Sequence, residues 1–167
     1  MPVADNCSNL GDMTRRNVVI TGGNSGIGKA TAKALARLGA RVVITSRDAG
    51  RGEQAVNDIK RASDNDAVDC VPLNLASLSA VRTCAKTLLD HLEEIHVLDL
   101  NAGGVLSRRD VTEDGFEMQF QANHLGHFLL SSLLLDRLRQ SAPARVVVLS
   151  SWGHTQARGG LDFDDLQ

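Results

Sequence analysis

The sequence predicts a doubly wound α/β fold, a parallel sheet of about five strands with helices on both faces, and three observations predict it. Short β-branched runs recur along the chain and alternate with helical apolar patterns. The runs are almost continuously apolar, as strands buried on both faces require. Glycines 22, 26 and 28 follow the first run directly and open the first helix. At 167 residues, 43% of them apolar, the chain suits one domain with a sizeable core.

The elements follow in order. Residues 17–21 (Asn-Val-Val-Ile-Thr) form the first strand. Residues 27–38 form a helix with Ala30, Ala34, Leu35 and Leu38 on one face, closed by Gly39. Residues 41–45 are the second strand, and 52–62 a helix with Ala55, Val56 and Ile59 inward. Residues 69–73 are a short third strand whose Pro72 marks an edge or a strand end. Residues 78–94 form a helix apolar at Val81, Ala85, Leu88, Leu89 and Leu92. Residues 96–100 and 145–149 are the fourth and fifth strands, and one long helix over 115–140 joins them.

The apolar positions of that long helix, from Phe120 through Phe128 and Leu135 to Leu138, are too broad for one face. It is predicted to be covered twice, by the sheet and by a neighbouring helix. Residues 152–167 show no element. The division is then a polar extension (1–16), a nucleotide-binding domain (17–151) and an irregular tail (152–167). With no helix to follow the fifth strand, the domain is expected to be C-terminally incomplete. The flank of that strand and the outer face of the long helix should be exposed, and the chain should self-associate or form a homo-oligomer.

Eighteen Lys+Arg against twenty Asp+Glu give a net charge of −2, which argues against nucleic acid as a partner. Cys7, Cys70 and Cys84 are widely spaced and odd in number, so they read as free thiols in a reducing compartment. Neither a leader nor a membrane-spanning run is visible, and a cytoplasmic protein is expected. There is no tyrosine.

The glycine spacing is G-x-x-x-G-x-G. Such a loop lets the backbone turn tightly and brings the free N–H groups of a helix N-terminus against a pyrophosphate. Thr21-Gly22-Gly23-Asn24-Ser25-Gly26-Ile27-Gly28 resembles the TGxxxGIG signature of the short-chain dehydrogenases/reductases, a Rossmann-like family. Asn101-Ala102-Gly103 resembles its NNAG motif, Asn123-His124-Leu125-Gly126-His127-Phe128 the helix carrying its catalytic Asn, and 145–151 the strand delivering its catalytic Ser. Asp114-Gly115-Phe116-Glu117 and the Asn123 phrase look closest to the retinol-dehydrogenase-like branch.

An NAD site would place a carboxylate about 20 residues past the glycines. Ser46 and Arg47 instead offer a hydroxyl and a guanidinium, suited to the 2′-phosphate of NADP(H), although Asp48 next door leaves NAD open. The resemblance implies that Asn74 and Leu75 border the adenine, with Asn where the family has Asp. It further implies that Ser151 bonds the substrate oxygen of an alcohol/carbonyl pair and that Asn123 orders a proton path. The family's proton donor, a Tyr in Tyr-x-x-x-Lys, is absent from these residues, so no turnover is expected of this chain alone.

Two further departures are Leu100, in place of the first Asn of NNAG, and Asp99, inside a strand. A buried carboxylate there should be costly or raised in pKa. His124 and His127, three apart on a helix, lack a third metal ligand. Ser150 or Ser151 with His154 lacks a nucleophile elbow. The readings carried forward are an oxidoreductase and, alternatively, a non-catalytic dinucleotide-binding or interaction protein. A methyltransferase would leave Asn101, Ala102, Gly103, Asn123 and Ser151 without a role.

Overall fold

The computed structural model describes residues 11–156 together with 159, 162 and 164. Its strands are β1 (Asn17–Ile20), β2 (Arg41–Ser46), β3 (Val68–Pro72), β4 (Val97–Leu100) and β5 (Arg145–Val148). Helices α1 (Gly26–Arg37), α2 (Ala49–Ser63) and α3 (Leu78–His91) connect the first four strands. A short turn α4 (Met118–Phe120), a π-helical stretch (Gln121–Leu125) and α5 (Gly126–Gln140) lead into β5. All pairings are parallel, in the order β3-β2-β1-β4-β5. The strand order therefore reverses between β1 and β4, and crevices at the carboxyl ends of such strands are where α/β sheets take ligands.

Alternate residues of the first four strands feed two cores on opposite faces. Val18, Ile20, Val42 and Ile44 meet Ala32 and Ala36 of α1 and Ala55 and Ile59 of α2. Val19, Val43, Leu98 and Leu100 meet Val81 and Leu88 of α3 and Leu130, Leu134 and Leu138 of α5. Each fully buried Ile or Leu contributes roughly 1.5–3 kcal/mol relative to exposure. Leu100 is explained by this packing, because it faces the α3/α5 core where an asparagine side chain would be desolvated.

The fifth strand differs. It hydrogen-bonds to β4 and exposes all four of its residues. Val148 is 67% exposed, and Phe128, on the outer side of α5, is equally open. The exposure expected of this flank is therefore observed.

Several boundaries depart from the sequence reading. Helix α2 begins at Ala49 because Asp48 caps it, and α3 stops at His91 because Leu92 is extended. The predicted helix over 115–140 starts at Met118: Gly115 takes φ +86° in a turn, and the Glu117 carboxylate accepts from the Gln119 and Phe120 amides. It is not uniform either, since the π stretch interrupts it. Trp152–Gln156 form a 3₁₀ turn where no element was expected. Cys7 lies outside the described residues, while Cys84 is buried and burial pushes its thiol up to about 12.

Candidate cofactor cleft

A cleft of about 860 Å³ opens at the carboxyl ends of the strands. Its walls are the loop after β1, the ends of β2 and β3, the turn after β4, and the Asn123 segment. Gly22 and Gly26 take φ +66° and +54°, the left-handed region that favours glycine. A Cβ on Gly28 would lie 2.4 Å from Asn101 Nδ2 and 2.8 Å from the Gly22 carbonyl, so only glycine lets α1 approach this closely.

Helix capping separates α1 from its neighbours. Asp48 accepts from the Arg51 amide at 2.7 Å, and α3 is capped by Ser77 and by Asp114, which accepts from the Leu78 amide at 2.9 Å. Ser25, at the N-cap of α1, makes no such side-chain bond. The free N–H groups of α1 face the cleft, with Asn24, Ser25 and Ile27 on its rim.

At the end of β2, Ser46 is buried and shapes the turn. Its hydroxyl donates to the Asp48 carbonyl at 2.7 Å and accepts from the Asp48 amide at 3.2 Å. Arg47 is exposed on the cleft wall, and Arg51 stands beside it, a cation the sequence reading had passed over. Asn74 folds into a local turn, its side-chain Oδ1 accepting from the Ala76 amide at 3.1 Å, with Leu75 next along the wall.

After β4, Asn101 Nδ2 donates to the Thr21 carbonyl at 3.0 Å, and the Ala102 amide donates to Thr21 Oγ1 at 3.0 Å. Gly103 packs against Asn123, whose amide clamps the next residue. Asn123 Oδ1 accepts from the Gly104 amide at 3.1 Å, and Nδ2 donates to the Gly104 carbonyl at 2.9 Å. Asp99 is largely covered, makes no side-chain ion pair among the described residues, and has its carboxyl raised by desolvation.

The structure thus gathers Gly22, Asn24, Ser25, Gly26, Ile27, Ser46, Arg47, Asn74, Leu75, Asn101, Ala102, Gly103 and Asn123 around one cleft. Ser151 is not on its wall: it is exposed past β5, where its hydroxyl accepts from the Gly153 amide at 3.1 Å. His124 stacks on Phe120 at a centroid distance of 5.5 Å, whereas His127 is buried against Thr21, so the two imidazoles do not converge.

An open parallel sheet whose first strand runs through a glycine cradle into an uncapped helix defines a doubly wound protein with a cleft at the carboxyl ends of its strands. The chain belongs to the short chain dehydrogenase family, whose profile matches residues 16–161. It is similar to retinol dehydrogenase 13 of Homo sapiens, 44% identical over 160 residues, covering 96% of this chain and 48% of the relative. Retinol dehydrogenase 12 of Mus musculus is 49% identical over 150 residues, covering 90% and 47%.

Among solved structures, an uncharacterized protein from Mycobacterium paratuberculosis superposes with a TM-score of 0.75 at 41% identity, over 89% of this chain and 50% of that one. The Pseudomonas aeruginosa RhlG/NADP active-site complex superposes with a TM-score of 0.67 at 32% identity, over 81% and 54%. The chain spans about half the length of the curated relatives it matches. The family uses a nicotinamide dinucleotide, and the Gly28 close approach and the uncapped α1 fit the pyrophosphate of such a group. Among the described residues, no helix is long and apolar enough to cross a membrane.

Proposed function

We propose that the cleft binds NADP(H) in preference to NAD(H), as the cofactor-binding part of an oxidoreductase for an alcohol/carbonyl pair. The carrying observation is the end of β2. Arg47 and Arg51 line the wall there, while the nearest carboxylate, Asp48, is engaged in capping α2. A guanidinium pairs with a 2′-phosphate, and a carboxylate held by an amide is a poor ribose ligand. The bound nicotinamide would supply or accept the hydride.

This chain's own residues hold and orient. Gly22–Gly28 and the amides of α1 would seat the pyrophosphate, Asn74 and Leu75 would border the adenine, and Asn101–Gly103 would back the cleft. By the family resemblance Ser151 would bond the substrate oxygen once it turns from Gly153 toward the cleft, and Asn123 would order a proton path once its amide leaves Gly104. The names of the retinol dehydrogenases suggest a retinoid-like alcohol or aldehyde as the substrate class.

The test is a binding comparison. NADPH should bind this chain more tightly than NADH, and Arg47→Asp should reverse the order. Equal binding of the two before and after the change would remove Arg47 from the site.

A second reading, dinucleotide binding without turnover, is favoured because the 167 residues contain no tyrosine and the Asn123 amide is spent on Gly104. A positioned proton donor contributes roughly 10²–10⁴-fold, so its absence should leave carbonyl reduction at background. Turnover by the purified chain that Ser151→Ala abolishes would eliminate this second reading.

A further inference from the structure

We infer that His127, with its ring proton on Nδ1, is a positioning residue that ties the glycine loop, the end of β4 and the Asn123 segment into one unit. The inference rests on the dinucleotide reading of the cleft, and it follows from hydrogen-bond polarity. His127 Nδ1 lies 3.2 Å from the Asn123 carbonyl oxygen, which can only accept, so Nδ1 carries the proton. A singly protonated imidazole then presents a lone pair at Nε2, which lies 2.9 Å from Thr21 Oγ1. The Thr21 hydroxyl must donate to it. The same oxygen accepts from the Ala102 amide at 3.0 Å, which completes a consistent chain from Ala102 through Thr21 and His127 to Asn123.

Each end of that chain belongs to a wall of the cleft. Thr21 immediately precedes Gly22, and its own amide and carbonyl are bonded to the Asp99 carbonyl and to Asn101 Nδ2. Ala102 is the residue nearest to where a Gly22 side chain would project, at 3.0 Å. Asn123 sits in the π stretch and clamps Gly104. Wide turns of that kind occur frequently at functional sites.

Burial disfavours the charged imidazole and so lowers its pKa, and the nearby His124 pushes the same way. Both agree with a ring carrying one proton. A second proton on Nε2 would send the Thr21 hydroxyl to its alternative acceptor, the Asp99 carbonyl at 3.3 Å, and break the link.

The experiment uses the 167-residue chain. Nitrogen-15 NMR of the wild-type imidazole at pH 7.5 should show the proton on Nδ1 and an unprotonated, hydrogen-bonded Nε2, a readout that needs no variant to fold. NADPH titrations would then compare wild type with His127→Phe, Thr21→Val, the double variant and Thr21→Ser. Each of the first two should weaken binding about tenfold. The double variant should be no weaker than that, because both remove one shared link, and Thr21→Ser should stay within about twofold of wild type.

A proton on Nε2 would overturn the inference. So would unchanged NADPH binding by His127→Phe, or losses that multiply to about a hundredfold. Failure of the wild type to bind either dinucleotide would instead sink the reading of the cleft. The link would then be judged by the ring tautomer and by amide exchange at Ala102, which His127→Phe should speed and which would stay unchanged if the link were idle.

Discussion

Strands β2 and β5 open on nearly the same residues, Arg41-Val-Val-Ile44 and Arg145-Val-Val-Val148, and they lie in opposite surroundings. In β2, Val42 and Ile44 are fully buried under α1 and α2, and Val43 is 3% exposed on the other face. Along β5 and at the residue after it, Val146, Val147, Val148 and Leu149 are all exposed. Strand β2 has β1 and β3 on its flanks, whereas β5 is hydrogen-bonded to β4. Similar apolar surface stabilises one and leaves the other as a liability, because the hydrophobic effect acts on area removed from water and not on residue type.

The largest effect should come from a charge placed in each strand. Val43→Lys buries an ammonium without a partner and should cost more than about 4 kcal/mol, enough to unfold the chain. Val147→Lys should change stability by no more than about 0.5 kcal/mol and reduce self-association, since charge on an edge strand discourages pairing. Circular dichroism and sedimentation would read both. Unfolding by Val147→Lys would show that β5 is covered after all, and the comparison would collapse.

Truncation gives the same contrast on a smaller scale. Ile44→Ala should cost about 2–5 kcal/mol by leaving a cavity, and Val148→Ala under about 1 kcal/mol. Urea melts with matched slopes would separate them, and equal losses would contradict the burial difference.

The smallest effect tests the border between the two regions. Asp99 pairs with Ile20 of covered β1 on one side and with Val147 of open β5 on the other. Burial raises its carboxyl above the ordinary 3.8, so the folded chain holds that proton more readily than the unfolded one. The contribution of Asp99 to stability is therefore fullest below pH 3.8 and is lost as pH rises through the raised value. Asp99→Asn should melt a few degrees higher than wild type at pH 7, with the gap closing under acid. A constant gap across the range would assign the change to packing.

The glycine loop shows what local chemistry makes legible. Its spacing, its place between β1 and α1, and the left-handed φ of Gly22 and Gly26 all follow from residues adjacent in the chain. Arg47 at the end of β2 was equally readable. The fate of Asp48 was less so, because a carboxylate after a strand serves equally as a helix cap or a ribose ligand until the Arg51 amide claims it. The two histidines mark the limit. Regular helical spacing puts His124 and His127 side by side, yet the π stretch leaves one stacked on Phe120 and turns the other onto Thr21, 106 residues away in sequence.

By itself, then, the sequence determined the strand and helix order, the glycine cradle and the arginine beside it. These depend on backbone conformations and periodicities set within a few residues of one another. Only the tertiary structure decided that β2 is core while β5 is surface, that Ser151 turns away from the cleft, and that His127 joins its walls. Those outcomes depend on which distant segment packs against each face, and a run of valines carries no record of its cover.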